Sequence, residues 1–236
     1  MQFSPERTNV KRPKLDATAD SVTMIAVHNT LNTDPSSAAA GRAAFTLVEL
    51  LVVMSIIALL AGLLTPALLR GLQTARQAAC MNNLRQVTIA TRFYMTEHGG
   101  YPPTWVAGST RWMDLIKPYL NKNEAVYRCP ADPKQIPLSW DPGITMSYGM
   151  NSFCFGSTQF SFWYGVQASA VKQPARVILY ADCTPGKYYC GSGNRFSEPV
   201  PGVDYRHVNG NFVAALCDGH AEARQHTTQA HWDAGQ

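Results

Sequence analysis

The run over residues 45–69 constrains this chain more than any other stretch. It opens Phe45-Thr46-Leu47-Val48-Glu49 and continues almost wholly apolar to Leu69. About 20 apolar residues in a helix span the roughly 30 Å hydrocarbon layer, so the run is long enough to cross a bilayer. Its only ionisable side chain is Glu49. A carboxylate there is costly unless it reaches the interface, protonates or meets a positive partner, and a plain anchor does not need one. An ordinary secretory signal has a shorter apolar core of about 7 to 15 residues with a small-residue cleavage site after it. Thr65-Pro66-Ala67 imitates such a site, but Glu49 would have no purpose in that role.

Residues 1–44 are polar, rich in Ser, Ala and Thr, and carry Lys11, Arg12, Lys14 and Arg42 without apolar periodicity. They read as a disordered cytoplasmic leader, with Met24 as a second candidate start. Positive residues ahead of the span favour a cytoplasmic N-terminus, although Arg70 and Arg76 on the far side weaken that rule.

These residues resemble the N-terminal signature of type IV prepilins and type II secretion pseudopilins. That pattern is a basic leader ending in a small residue, then Phe-Thr-Leu-x-Glu opening an apolar helix. Here Gly41-Arg42-Ala43-Ala44 precedes Phe45-Thr46-Leu47-Val48-Glu49, with Ala44 where the family most often has Gly. The resemblance implies cleavage between Ala44 and Phe45 by an aspartyl prepilin peptidase, then N-methylation of the new amine. It also implies that Glu49 meets the positive N-terminus of a neighbouring subunit as helices stack into a filament. Prepilin peptidase, other pilin or pseudopilin subunits and the inner membrane are the implied partners.

Beyond the span a helix continues from Gln73 to Met95, with Leu84, Val87, Thr91 and Tyr94 at helical spacing and Arg85, Gln86 and Arg92 on the other side. Gly99-Gly100 and Tyr101-Pro102-Pro103 stop it. Gly62 and Pro66 mark the section expected to kink, since proline removes a backbone hydrogen bond. After Tyr101 the chain turns to short Pro- and Gly-punctuated segments. Residues 111–120 suggest a short helix, and 147–151, 176–181 and 211–217 suggest strands. Asp218-Gly219 is a hairpin turn, with 220–224 as the return strand. Residues 225–236 look frayed. The expected division is a cleaved leader (1–44), a transmembrane assembly helix (45–69), an amphipathic helix (70–98) and a globular head (99–236). About 165 residues lie beyond the anchor, enough for one ordinary domain. Helix first and strands afterwards predict an α+β fold, the amphipathic helix packed on a small antiparallel sheet.

The head resembles the DUF1559-like subgroup of prepilin-like proteins that carry a C-terminal H-x9-D-G motif. Four fragments carry the likeness: Cys80-Met81-Asn82-Asn83-Leu84-Arg85-Gln86; Tyr101-Pro102-Pro103; Cys129-Pro130-Ala131-Asp132 with Ser147-Tyr148-Gly149-Met150-Asn151; and Arg206-His207 through Cys217-Asp218-Gly219-His220. Ten residues, not nine, separate His207 from Asp218. The resemblance supplies a class and no ligand.

All six cysteines, Cys80, Cys129, Cys154, Cys183, Cys190 and Cys217, lie beyond the span, and an even number outside the cytoplasm allows disulfides. Cys183 and Cys190 are close enough in sequence to be the first pairing expected. None forms a C-x-x-C pair, which disfavours a zinc ribbon. Asp182, His207, Asp218 and His220 are the candidate divalent-metal cluster, and Asp132, Asp141 or Asp182 could serve calcium in a head loop. Against this, Asp218 has a turn to form and Asp182 ends a strand. A formal net charge of +4 without a dense Lys/Arg cluster gives no reason to expect nucleic acid. No nucleophile elbow or phosphate loop appears, so the chain is read as a non-enzyme. Trp105, Trp112, Trp140 and Trp163 could stack on sugars, although core packing is the commoner use of such residues. Two classes therefore stand: a structural subunit of a type II secretion pseudopilus or type IV pilus-like filament, and a membrane-tethered module binding carbohydrate or another surface ligand.

Overall fold

A computed structural model describes residues 45–236 except Ala107 and Ser109. Residues 1–44, including Ala44 of the expected cleavage site, lie outside the described residues. Val48–Gln236 form one compact unit.

Helix α1 (Leu47–His98) runs for 52 residues, about 78 Å at 1.5 Å per residue. It continues through Gly62 and Pro66 as one helix. Gly99, at φ +75°, closes it in the left-handed conformation that glycine adopts at no steric cost, its N–H donating to the Met95 carbonyl at 2.8 Å. The two halves of α1 face different surroundings. Residues 45–76 are all exposed, whereas Cys80, Leu84, Val87, Thr88, Ala90, Thr91 and Tyr94 are buried. The predicted apolar stripe is therefore the face that meets the head.

The head begins with a small hairpin of β1 (Trp105–Val106) and β2 (Thr110–Arg111), then α2 (Trp112–Ile116) and a 3-10 turn at Lys117–Leu120. Strands β3 (Pro137–Leu138) and β4 (Asp141–Thr145) form a second hairpin. The main sheet comprises β5 (Tyr148–Phe153), β6 (Ile178–Asp182), β7 (Tyr189–Gly193), β8 (Phe212–Leu216) and β9 (Ala221–Arg224), in the order β7-β5-β6-β8-β9. β5, β6, β8 and β9 pair antiparallel, as expected, with the Asp218-Gly219 turn joining the last two. β7 departs from the expectation by adding parallel to β5. Its sequence, Tyr-Cys-Gly-Ser-Gly, carries little strand signal, and the pairing depends on close approach. A Cβ on Gly149 would lie 2.7 Å from the Tyr189 carbonyl carbon and within 3 Å of the Cys183 and Cys190 sulfurs.

Strand β8 shows why its sequence reads as a continuous apolar run. Val213 and Ala215, with Cys217 just beyond, join the core beneath α1, whereas Phe212, Ala214 and Leu216 join a second core on the opposite face. Alternate side chains leave a strand on opposite faces, so a sheet covered on both sides needs apolar residues throughout. The second core corrects the expectation of a frayed C-terminus. Trp232 is 1% exposed, its ring centroid is 5.6 Å from Phe153, and its carbonyl accepts a hydrogen bond from the Asn151 side chain at 2.9 Å. Polar ties fix α1 to the sheet as well. The Thr91 and Tyr180 hydroxyls share a hydrogen bond at 2.8 Å, and Tyr148 donates to the Cys80 carbonyl at 3.3 Å.

Candidate functional site

Two features could carry function: the exposed half of α1, and a buried charged node where α1 meets the sheet. In the first, the large apolar side chains from Phe45 to Leu72 stand exposed, Leu47 at 79% and Leu68 at 73%. An apolar surface this long marks membrane or protein contact, and burying each such side chain stabilises by about 1.5–3 kcal/mol. α1 is long and apolar enough to cross a membrane. Glu49 lies in its first turn, where the helix dipole favours negative charge.

The second feature is built from three segments. Asp182 ends β6, and Asp132 sits in the turn after Cys129. Arg206 and His207 precede β8, held by a bridge between His207 and Asn211. The His207 Nε2 lies 3.0 Å from Asp182 Oδ2, with both side chains fully buried. That carboxylate also accepts the Val213 N–H at 2.6 Å. The Arg206 guanidinium approaches Asp132 at 3.0 Å, Asp204 at 3.0 Å and Asp182 at 3.9 Å, and donates to the Cys183 carbonyl. Asp132 further accepts hydrogen bonds from the Ser147 hydroxyl at 2.8 Å and the Lys134 N–H at 3.0 Å. Buried carboxylates need such partners, because an unpaired charge in low dielectric is strongly destabilising.

The four residues expected to form a metal cluster do not converge. His207 and Asp182 meet at the node. Asp218 instead accepts the His220 N–H at 2.9 Å in the β8–β9 turn, at the far end of the strand from Val213, and His220 is exposed. The ten residues between His207 and Asp218 are mostly strand, which keeps the two apart. The calcium reading fails for a related reason. Arg206 lies between Asp132 and Asp182 and supplies the positive charge a cation would bring, while Asp141 is in β4.

The disulfide joins Cys80 of α1 to Cys129, with Cα atoms 5.1 Å apart, so it staples the helix to the head. This corrects the expected Cys183–Cys190 pairing. Those two are buried free thiols that both lie against Gly149, and burial pushes the Cys190 thiol well above its ordinary value. His207 Nε2 also lies 3.5 Å from Cys129 Sγ. Cys80, Cys129 and His207 thus gather three potential metal-ligating atoms within 4.8 Å, but the two sulfurs are consumed by their bond to each other. One imidazole nitrogen faces both Asp182 and Cys129. A nucleophile relay would need the two ring nitrogens to face the two partners separately, so the node reads as structural.

The tryptophans divide as well. Trp112 is fully buried and donates its indole N–H to the Tyr188 carbonyl at 2.7 Å. Trp105 and Trp140 are about two-fifths exposed, the first 6.2 Å from Trp163 and the second 4.9 Å from Tyr188. Sequence reasoning missed Arg206 as the central cation and Cys129 as the partner of Cys80. The two cysteines are 49 positions apart in sequence, so no local pattern points to that pair.

Comparison with known proteins fits this layout. Residues 40–65 match the family model described as a prokaryotic N-terminal methylation motif, and residues 72–127 match the one described as a protein of unknown function (DUF1559). No curated protein and no solved structure matches the chain.

Proposed function

We propose that the chain, whose residues 40–65 and 72–127 match an N-terminal methylation motif and a DUF1559 family, is a structural subunit of a type II secretion pseudopilus or type IV pilus-like filament. Prepilin peptidase removes residues 1–44, and the new N-terminus at Phe45 is methylated. The subunit waits in the inner membrane, N-terminus inward and head outward. On assembly, Glu49 meets the N-terminal amine of a neighbouring subunit. The observation that carries this reading is the division of α1: its buried side chains begin at Cys80, whereas residues 45–76 are exposed and present a largely apolar surface suited to lipid or other helices. The Cys80–Cys129 disulfide supports an oxidising location for the head. The test is Glu49→Ala followed through membrane insertion and filament formation. Insertion is expected to persist while incorporation into filaments falls sharply, because removing the carboxylate removes the partner of the amine. Equal incorporation would overturn the filament reading.

The second reading, a membrane-tethered module for carbohydrate, is favoured by one observation. Trp140 stacks under the Arg111 guanidinium at 4.2 Å and remains partly exposed beside Tyr188. Binding of a glycan panel by the head, lost in Trp140→Ala, would support it; no binding would remove it.

A further inference from the structure

A cavity of about 380 Å³ opens between α2 and the β3–β4 hairpin, a volume within the range of small-molecule sites. The buried side chains of Met113 and Leu138 line it, together with the partly exposed Trp140 ring and the polar groups of Arg111, Asp114 and Asp141. Those polar groups are held in place. Asp114 Oδ2 accepts the Arg111 N–H at 2.9 Å, Asp141 Oδ1 accepts the Gly143 N–H at 3.1 Å, and the Arg111 guanidinium lies 4.2 Å over the Trp140 ring. The cavity also lies far from the apolar half of α1. Tyr119, in the turn that follows α2, donates to Glu97 in the last turn of α1, about 42 Å beyond Leu69 at 1.5 Å per residue. From Trp140 a row of rings leads across the head, with centroid spacings of 4.9 Å to Tyr188, 5.2 Å on to Tyr189, 6.0 Å to Trp163 and 6.2 Å to Trp105. Trp140 and Trp105, at its two ends, are exposed, while Tyr188 is buried.

Resting on the carbohydrate reading above, we propose that the head binds an uncharged, β-linked glucan chain, with one sugar seated against Trp140 in this cavity and the chain running towards Trp105. A flat pyranose ring presents C–H groups on its faces and hydroxyls around its edge. An indole face covers the first, and fixed carboxylates and a guanidinium can each pair with two neighbouring hydroxyls. A wholly apolar guest would strip water from Asp114 and Asp141 and return no hydrogen bonds, which is costly. An anionic chain would meet two carboxylates against one guanidinium. Lys117, the next cation beside Asp114 and Asp141, is already paired with Glu124 at 2.5 Å. Two exposed rings at opposite ends of the row call for a chain and not for a single sugar.

The test uses the full mature chain in mild detergent and titration calorimetry, with glucose, cellobiose and cellohexaose as probes and polygalacturonate as the anionic counterpart. Affinity is expected to rise from glucose to cellohexaose. Trp140→Ala is expected to bind cellohexaose about tenfold more weakly, the loss of an aromatic anchor. Asp141→Asn keeps an oxygen for the Gly143 N–H and removes only the charge, so a loss of about tenfold is expected with an unchanged melting temperature. Trp105→Ala should bind glucose as wild type does and cellohexaose less tightly. Phe93→Ala removes an exposed ring from α1 and is expected to behave as wild type. Equal binding by Trp140→Ala, Asp141→Asn and wild type would overturn the site and leave the carbohydrate reading standing. A wild type that binds no cellohexaose, or binds it no more tightly than glucose, would overturn the proposal, and a glycan panel run in parallel shows whether the carbohydrate reading falls with it. Tighter binding of polygalacturonate would overturn the uncharged class.

Discussion

His207 Nε2 and Asp182 Oδ2 lie 3.0 Å apart with both side chains fully buried, and the pair links the end of β6 to the approach to β8. Removing one member of such a pair leaves the other buried without its partner, which typically costs about 3–5 kcal/mol. Asp182→Ala is therefore expected to lower unfolding stability by about that amount, since the Val213 N–H also loses its acceptor. Urea unfolding of the mature chain measures it, and a loss within the scatter of surface substitutions would contradict the role given to the node.

The disulfide gives a count that can be checked directly. Unfolded, unreduced protein is expected to show four free thiols, from Cys154, Cys183, Cys190 and Cys217. Two would mean that Cys183 and Cys190 had joined, and six would remove the Cys80–Cys129 link. Replacing Cys80 and Cys129 with serine is expected to cost about 4 kcal/mol, the chain-entropy value for a loop of this length.

Gly149→Ala tests the parallel edge of the sheet. The added methyl group would meet backbone, the Tyr189 carbonyl carbon at 2.7 Å, so β7 would have to move. Overpacking of this kind costs typically about 1–3 kcal/mol. Weakened amide-exchange protection in β7, with α1 unaffected, is the expected signature.

The C-terminal segment should contribute to stability despite its polar composition. Trp232→Ala empties a fully buried site and is expected to cost about 3–5 kcal/mol. A chain truncated after Arg224 should be at least as unstable in the same denaturation assay.

His231 supplies a pH dependence. Burial, reinforced by the Arg224 and Arg176 charges, holds its imidazole below the ordinary value of about 6.5. Above that pH the group is neutral in both states and its contribution is fully present. As pH falls through 6.5 the unfolded chain takes up its proton first, and stability declines until the folded His231 also protonates. His231→Gln should flatten this decline in melting temperature; parallel curves for variant and wild type would contradict it.

What the sequence disclosed and what it hid divide along physical lines. Leu84, Val87, Thr91 and Tyr94 could be placed in the core because a helix repeats its face every 3.6 residues, and all four are buried. Asp218-Gly219 identified the hairpin because turn chemistry is local. Strand β7 stayed hidden, since its pairing depends on the space over Gly149 and not on its own side chains. Trp232 was missed for a similar reason: one large side chain in a polar segment has no periodicity to reveal it. Of the candidate metal cluster, the Asp182–His207 pair is real and the rest is not. Residue type alone gave no sign that Arg206 would fill the space between the carboxylates.

The central claim is that residues 45–76 form an assembly surface exposed by processing before Phe45. Mass spectrometry of the mature protein from its native membrane tests it most directly. The expected result is a chain that begins at Phe45 with a methylated amine. An intact leader, or an N-terminus beyond Leu60, would contradict the claim.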